Sequence, residues 1–138
     1  MKILLVDDSK FLRLATGRAL TRAGYEMTFA GDGDEALLMA AETLPDLILL
    51  DMMLPKMSGL EVLKTLKKEP ATEAIPVVVL TGLSQSNAER LLRDGAFGFL
   101  TKADLGLEEG AEPLLAALRK FFTELPGASN AQGGMRSA

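Results

Sequence analysis

Short apolar runs recur along the chain, and each run ends where small or polar residues begin. The clearest runs are residues 3–6, 47–50 and 77–80, and residues 27–30 and 97–100 are weaker runs of similar length. Continuous apolar runs this short are typical of strands that are buried on both faces of a parallel sheet. The pattern therefore predicts five strands.

Segments with helical spacing separate these runs. The first and the last are residues 12–23 and 114–125, with Pro113 suited to the first turn of the last helix. Sequences of the capping-box type at residues 58–61 and 86–89 predict the starts of two further helices, because a serine there is followed three residues later by glutamate.

The remaining helix is expected to begin after the Asp-Gly-Asp sequence at residues 32–34, with Leu37, Ala40, Ala41 and Leu44 facing inward. Strand and helix then alternate five times. Such alternation predicts an α/β fold in which a parallel sheet carries helices on both faces. Five units are too few for an eight-fold barrel, so we expect an open, doubly wound sheet with its site at the carboxyl ends of the strands.

Composition excludes several kinds of site. The 138-residue chain fits one globular domain, which we expect over residues 1–125 with a flexible tail at residues 126–138. The net charge of −4 argues against a nucleic-acid partner. The absence of cysteine and histidine excludes thiolate chemistry, the usual general base and a phosphohistidine on this chain. The first apolar run is too short for a signal peptide or a membrane span, so we expect a cytoplasmic protein.

Polar residues gather at one predicted edge of the sheet. Asp7 and Asp8 follow the first strand, Asp51 ends the third, Thr81 ends the fourth and Lys102 lies just beyond the fifth. Three carboxylates without histidine or cysteine form an all-oxygen cluster whose mutual repulsion calls for a cation, and Mg²⁺ or Mn²⁺ suits such ligands. The residues therefore predict a magnesium site.

The same cluster is suited to phosphoryl transfer. Mg²⁺ keeps several waters and binds only one or two carboxylates, which leaves an oxygen of Asp51 free to attack a phosphoryl group. The ammonium of Lys102 and the hydroxyl of Thr81 are suited to neutralise and hydrogen-bond the added phosphoryl oxygens. We therefore expect Asp51, Lys102 and Thr81 to be the reactive set.

Over residues 2–122 the chain resembles the receiver domains of bacterial response regulators, including the single-domain type used in chemotaxis. The motifs that carry the resemblance are Val6-Asp7-Asp8-Ser9, residues 45–55, Met57-Ser58-Gly59, Leu80-Thr81-Gly82 and residues 95–102. The resemblance implies a flavodoxin-like sheet with the strand order 2-1-3-4-5, which is also the order of chemotaxis receivers.

The resemblance also implies a role for each site residue. Asp51 would be the phosphoacceptor, and Lys102 and Thr81 would contact the phosphoryl group. Thr81 and Phe99 would form a switch pair that transmits phosphorylation to the face built from the fourth helix, the fifth strand and the last helix. The implied metal ligands are Asp7, Asp8, Asp51 and the backbone carbonyl of Met53.

One departure from the family is clear, because Lys102 is followed by Ala103 and not by a proline with a cis bond before it. A cis bond before a residue other than proline costs about 3–4 kcal/mol. We therefore expect a trans bond after Lys102, a mobile loop over residues 103–112, and a lysine ammonium that still reaches Asp51.

These features favour a phosphorylation switch over an enzyme. A sensor histidine kinase or a phosphotransfer protein would donate the phosphoryl group, and the domain, a monomer or a weak dimer, would signal by altered binding to an unidentified output protein. One alternative is a Mg²⁺-dependent aspartyl-phosphate phosphohydrolase, but such enzymes typically carry a second aspartate where this chain has Met53. The other is a receiver-like binding module that is never phosphorylated.

Single residues of the site also have structural alternatives. Taken singly, Asp7 and Asp8 could instead cap a helix, and Phe99 could belong to the core.

Overall fold

Parallel strands form the centre of the computed structural model, which describes residues 1–82, 88–106 and 110–125. Within these ranges five strands pair in the order β2-β1-β3-β4-β5, and every pair is parallel. The strands are β1 (Lys2–Val6), β2 (Glu26–Ala30), β3 (Leu47–Asp51), β4 (Val77–Thr81) and β5 (Gly98–Thr101). The predicted doubly wound sheet and its strand order are confirmed.

Helices cover both faces of the sheet. They are α1 (Lys10–Arg22), α2 (Gly33–Thr43), α3 (Gly59–Lys68), α4 (Ala88–Arg93) and α5 (Glu112–Glu124), and a short 3₁₀ helix spans Lys102–Leu105. Alternate strand residues supply two core layers. In β1, Leu4 and Val6 face the layer under α2, α3 and α4, whereas Ile3 and Leu5 face the layer under α1 and α5. Both faces of the central strands are therefore apolar, as the unbroken runs predict.

The helix starts follow their capping residues. The Ser9 hydroxyl accepts a hydrogen bond from the Leu12 amide, so α1 begins at Lys10, two residues earlier than its apolar spacing predicts. The capping box of Ser58 and Glu61 is present at the start of α3, and Pro113 lies in the first turn of α5. The predicted capping box before α4 includes residues 86 and 87, which lie outside the described residues.

The inward face predicted for α2 is partly wrong. Ala40 is buried and Leu37 packs at the edge of the core, but the other buried residues of the helix are Gly33 and Ala36, and Ala41 is exposed. Leu44 is also exposed, because the helix ends at Thr43 and Leu44 adopts the left-handed conformation with φ of 46°. Helical spacing no longer determines where a side chain points once the helix has ended.

The link between β5 and α5 agrees with the sequence where it can be compared. The described residues contain no cis peptide bond, so the bond between Lys102 and Ala103 is trans as predicted. The mobility predicted for this loop concerns a stretch that includes residues 107–109, which lie outside the described residues, as does the predicted tail at 126–138. Among the described residues no helix is both long and apolar enough to cross a bilayer.

The start of α3 packs directly on the backbone that carries Asp51. The Gly59 amide donates to the Met52 carbonyl at 3.1 Å. A Cβ atom at Gly59 would lie 2.5 Å from the Asp51 carbonyl oxygen and 2.6 Å from the Met52 Cα. Only glycine therefore permits this approach of α3 to the end of β3.

We expect Gly59→Ala to destabilise the fold by about 1–3 kcal/mol, because the added methyl group would force the backbone of α3 and β3 apart. Urea unfolding measures the loss. Gly82→Ala is the matched control, since a Cβ there meets no atom of the described residues within 4 Å, and its effect should stay within about 0.5 kcal/mol. Equal stability of the Gly59 and Gly82 variants would contradict the packing described.

Candidate functional site

Three carboxylates meet at the carboxyl edge of the sheet. Asp7 and Asp8 directly follow β1, Asp51 is the last residue of β3, and one oxygen from each lies within 4.8 Å of the others. Asp7 and Asp51 are only 2% and 1% exposed, whereas Asp8 is open to solvent. Two negative charges are thus held out of water beside each other, which is unfavourable unless a cation compensates them.

Lys102 provides a positive charge at this position. Its Nζ lies 2.8 Å from Asp51 Oδ2 and 3.7 Å from Asp7 Oδ2. Burial by itself lowers the pKa of Lys102, but the hydrogen bond to Asp51 and the negative charges of the cluster outweigh it, so the pKa lies above its ordinary value of 10.5. The lysine therefore stays charged, and it reaches Asp51 as the sequence predicts.

Asp51 is held on both carboxylate oxygens. Oδ1 accepts a hydrogen bond from the Met53 amide at 3.0 Å, and Oδ2 accepts the one from Lys102. The Met52 amide donates to the Leu80 carbonyl of β4 at 3.1 Å, which ties the residue after Asp51 to the neighbouring strand. The Asp51 carboxylate thus has a fixed position and orientation.

Asp7 is held at its backbone and its side chain. Its amide donates to the Ala30 carbonyl at 3.1 Å, and its Oδ1 accepts from the Ser9 amide at 2.9 Å. Burial raises the pKa of Asp7 above the ordinary value of 3.8, and the charge of Asp51 raises it further against the lowering effects of the Ser9 amide and Lys102. The folded protein therefore holds the Asp7 charge at a free-energy cost.

Arg13 is a neighbour of the cluster that the sequence analysis missed. Its Nη1 donates a hydrogen bond of 2.6 Å to the backbone carbonyl of Asp7. Arg13 lies inside α1 and follows no strand, so its place beside the cluster cannot be predicted from the strand ends. Its acceptor is a backbone carbonyl, which every residue has, so the sequence contains no signal for this contact.

The predicted switch residues lie on β4 and β5. Thr81 is 3% exposed at the end of β4 and pairs in register with Thr101, the residue before Lys102. Phe99 pairs with Val79, is half-buried, and packs against the core layer under α2, α3 and α4. Thr81 therefore lies on β4, the strand beside β3, and Phe99 lies on β5, the edge strand beyond it, and their roles remain predictions.

An open cleft of about 460 Å³ lies over the acidic edge. It is lined by Asp8, Asp51, Met52, Met53, Leu54, Pro55, Ser58 and Lys102. The Met53 side chain is 72% exposed at its rim. The cleft thus brings four of the predicted site residues together, and Asp7 lies beneath it in contact with Lys102.

Comparison with known proteins identifies the family of this chain. Residues 3–108 match the response regulator receiver domain family. The chain belongs to this family. Such domains act in two-component signalling, where the family serves as a phosphoacceptor switch.

Several response regulators are similar in sequence to this receiver domain. PleD of Caulobacter vibrioides is 47% identical over 104 residues, which are 73% of this chain and 22% of PleD. MprA of Mycobacterium leprae is 39% identical over 122 residues, 87% of this chain and 52% of MprA. The chain thus spans between about a fifth and a half of these curated relatives.

Solved receiver structures share its fold. The chemotaxis response regulator CheY4 of Vibrio cholerae superposes with a TM-score of 0.78 at 33% identity, covering 87% of this chain and 97% of CheY4. The response regulator domain of Thermotoga maritima CheB gives a TM-score of 0.77 at 31% identity, covering 91% of this chain and 98% of that domain. The strand order and the helical layers are therefore those of the family.

We expect Asp7→Asn to stabilise the metal-free receiver domain by on the order of 1 kcal/mol near neutral pH, because it removes one buried negative charge and keeps the acceptor for Ser9. A folded-state pKa above the unfolded value means that the parent loses stability as pH rises from 3.8 through the raised pKa of Asp7. The advantage of the variant should therefore disappear in acid.

Thermal unfolding in the presence of a chelator, measured from acidic to neutral pH, checks this expectation. Glu42→Gln is the control, since it removes the same charge from an exposed residue beside Lys2, at the opposite edge of the sheet. A neutral-pH midpoint for Asp7→Asn at or below that of the parent would contradict the repulsion described.

Proposed function

We propose that this receiver domain accepts a phosphoryl group on Asp51 in the presence of Mg²⁺ and signals by altered binding to other proteins. The observation that carries the proposal is the contact of 2.8 Å between Lys102 and Asp51, beside two more aspartates under an open cleft. This arrangement combines a nucleophile, a fixed cation and space for a phosphoryl group.

The acidic cluster fits a hard divalent cation. Its donors are all carboxylate oxygens that lie close together, and one lysine cannot balance three negative charges. We infer that Asp8, Asp51 and the backbone carbonyl of Met53 hold Mg²⁺, with Asp7 acting partly through water. Mn²⁺ suits the same donors. The bound ion would neutralise negative charge on the phosphoryl oxygens.

The transfer itself needs little from the protein beyond position and charge. An oxygen of Asp51 attacks phosphorus, and the N–P bond of a donor phosphohistidine breaks. The bonding electron pair remains on the donor imidazole, which takes up a proton, and an acyl phosphate forms on Asp51. Lys102 then contacts the phosphoryl oxygens, with the Thr81 hydroxyl as a hydrogen-bond donor on the neighbouring strand.

A phosphohistidine donor would lie outside the given chain, because this chain contains no histidine. A sensor histidine kinase or a phosphotransfer protein supplies a phosphohistidine of the required kind. The cleft over Asp51 is open to solvent and could admit such a side chain, and the residues around it include exposed Asp8 and Met53.

A switch fits the residues better than a phosphohydrolase does. Phosphohydrolases that use an aspartyl phosphate typically place an acid–base aspartate two residues after the nucleophile. Met53 stands at that position, and its thioether has no proton to transfer. The acyl phosphate is therefore expected to persist long enough to be sensed.

The proposed readout surface is the face formed by α4, β5 and α5. Thr81 and Phe99 lie on the strands that lead to this face, and the exposed cations Arg90, Arg93 and Lys120 lie on its helices. A change at Thr81 on phosphorylation would alter the packing of Phe99 and so the surface that an output protein contacts. The domain would do this as a monomer or a weak dimer.

We expect Asp51→Asn to lose labelling by a small acyl phosphate donor in the presence of Mg²⁺, because an amide is a far weaker nucleophile than a carboxylate. The parent should stop near one phosphoryl group per chain. Asp46→Asn is the matched control, since Asp46 immediately precedes β3 at the opposite edge and binds the Lys2 amide. Full labelling of Asp51→Asn would refute the assignment.

We expect Asp8→Ala to weaken Mg²⁺ binding about tenfold or more, and Asp7→Ala to weaken it less, because a ligand that acts through water contributes less than a direct one. Calorimetric titration of the parent and both variants measures the difference. If Asp8→Ala bound Mg²⁺ as tightly as the parent, the proposed ligand set would be wrong.

A further inference from the structure

Arg13 is the half-buried arginine of α1. The other basic residues of this helix, Lys10, Arg18 and Arg22, are exposed. Arg13 instead turns toward the end of β1, where its Nη1 donates to the Asp7 carbonyl at 2.6 Å. A charged donor at this distance forms a strong hydrogen bond, so the contact restrains the backbone at Asp7.

The bonded carbonyl belongs to the peptide group that joins Asp7 to Asp8. Because a peptide group is planar, the direction of the Asp7 carbonyl also determines where the amide and Cα of Asp8 lie. The Asp7 amide and carboxylate are already held by Ala30 and Ser9. Arg13 therefore acts on the one peptide group that links the two adjacent carboxylates of the cluster.

The loop after β2 leaves room for the guanidinium. A Cβ at Gly31 would lie 3.1 Å from Arg13 Nη1, so a side chain there would press against it. The Gly31 amide is held in turn by Glu35 Oε1 at 2.6 Å. The guanidinium thus has a defined place between the end of β1 and the loop after β2.

We propose that Arg13 is a positioning residue for the magnesium site, acting through the peptide group between Asp7 and Asp8. This rests on the proposed function, since Mg²⁺ is the ion that Asp8 would bind. Arg13 touches neither the ion nor the phosphoryl group. It orients the peptide so that Asp8 points its carboxylate toward Asp51.

The charge of Arg13 and its proposed positioning role predict opposite changes in Mg²⁺ affinity when Arg13 is replaced. A guanidinium is a cation, so on charge alone its removal would strengthen the binding of another cation. A positioning role predicts weaker binding, because Asp8 would lose its fixed direction. Partners that orient metal ligands typically change metal affinity by about 10–100-fold.

The experiment compares Mg²⁺ titrations, followed by calorimetry, for the parent, Arg13→Ala, Arg13→Lys and Arg18→Ala. We expect Arg13→Ala to weaken binding about tenfold and Arg13→Lys to recover part of the loss, since lysine retains a charged donor. Arg18→Ala removes the same charge from an exposed position of α1 and should bind Mg²⁺ as the parent does or slightly more tightly.

Amide spectra of ¹⁵N-labelled protein without metal add a second readout. Arg13→Ala should shift the Asp8 amide resonance more than Arg18→Ala does, and a lower thermal midpoint alone would not produce this difference. Should Arg13→Ala fail to fold, Arg13→Gln, which keeps more of the apolar stem, is compared in the same way.

Two outcomes would overturn the proposal: Mg²⁺ binding by the Arg13 variants as tight as that of the parent, or an unshifted Asp8 amide. A parent that binds no Mg²⁺ would instead refute the proposed function. The Asp8 amide resonance would then test the positioning role by itself. A shift in Arg13→Ala would support that role, and an unshifted resonance would overturn it.

Discussion

The contact between Lys102 and Asp51 joins parts of the chain that the sheet keeps apart. Asp51 ends β3, Lys102 follows β5, and β4 lies between them with Thr81 at its end. A lysine stem spans that gap, and its ammonium comes within 2.8 Å of the carboxylate. This cation balances part of the negative charge at the acidic edge, and the charge that remains is available for a divalent ion to neutralise.

The buried residues and the exposed residues of the site have different roles. Asp51 and Asp7 are buried and hydrogen-bonded, whereas Asp8 and Met53 face solvent. A nucleophile benefits from a fixed position, because orientation lowers the barrier to transfer. Ligands at the exposed rim can exchange water for an ion. In the proposed function, Lys102 contacts the phosphoryl group after phosphorylation, where it contacted the Asp51 carboxylate before. Thr81 on the intervening strand β4 contacts the same phosphoryl group.

Much of this arrangement could be predicted from the sequence. Apolar runs locate buried strands, and parallel strands bring their carboxyl ends to one edge, so the sequence predicts that Asp7, Asp51 and Lys102 converge. The reach of Lys102 with a trans bond before Ala103 followed from the length of its stem. These predictions depend on chain direction and side-chain length, which a sequence contains.

Other features depend on contacts that a sequence does not encode locally. Helical spacing predicts that Leu44 lies on the inner face of α2, but the helix ends one residue earlier. Arg13 bonds a backbone carbonyl, and backbone acceptors leave no pattern in the sequence. The close approach of Gly59 to the Asp51 backbone likewise depends on how α3 packs. The supporting residues around a site are therefore harder to predict than its reactive groups.

The most direct measurement of the central claim is chemical mapping of the phosphoryl group. The protein is labelled by a phosphohistidine donor with Mg²⁺ and reduced with borohydride, which converts an aspartyl phosphate to homoserine, and its peptides are sequenced by mass spectrometry. The account predicts homoserine at position 51 and aspartate at positions 7 and 8. Homoserine at either of those positions, or phosphate that resists reduction on a hydroxyl side chain, would contradict it.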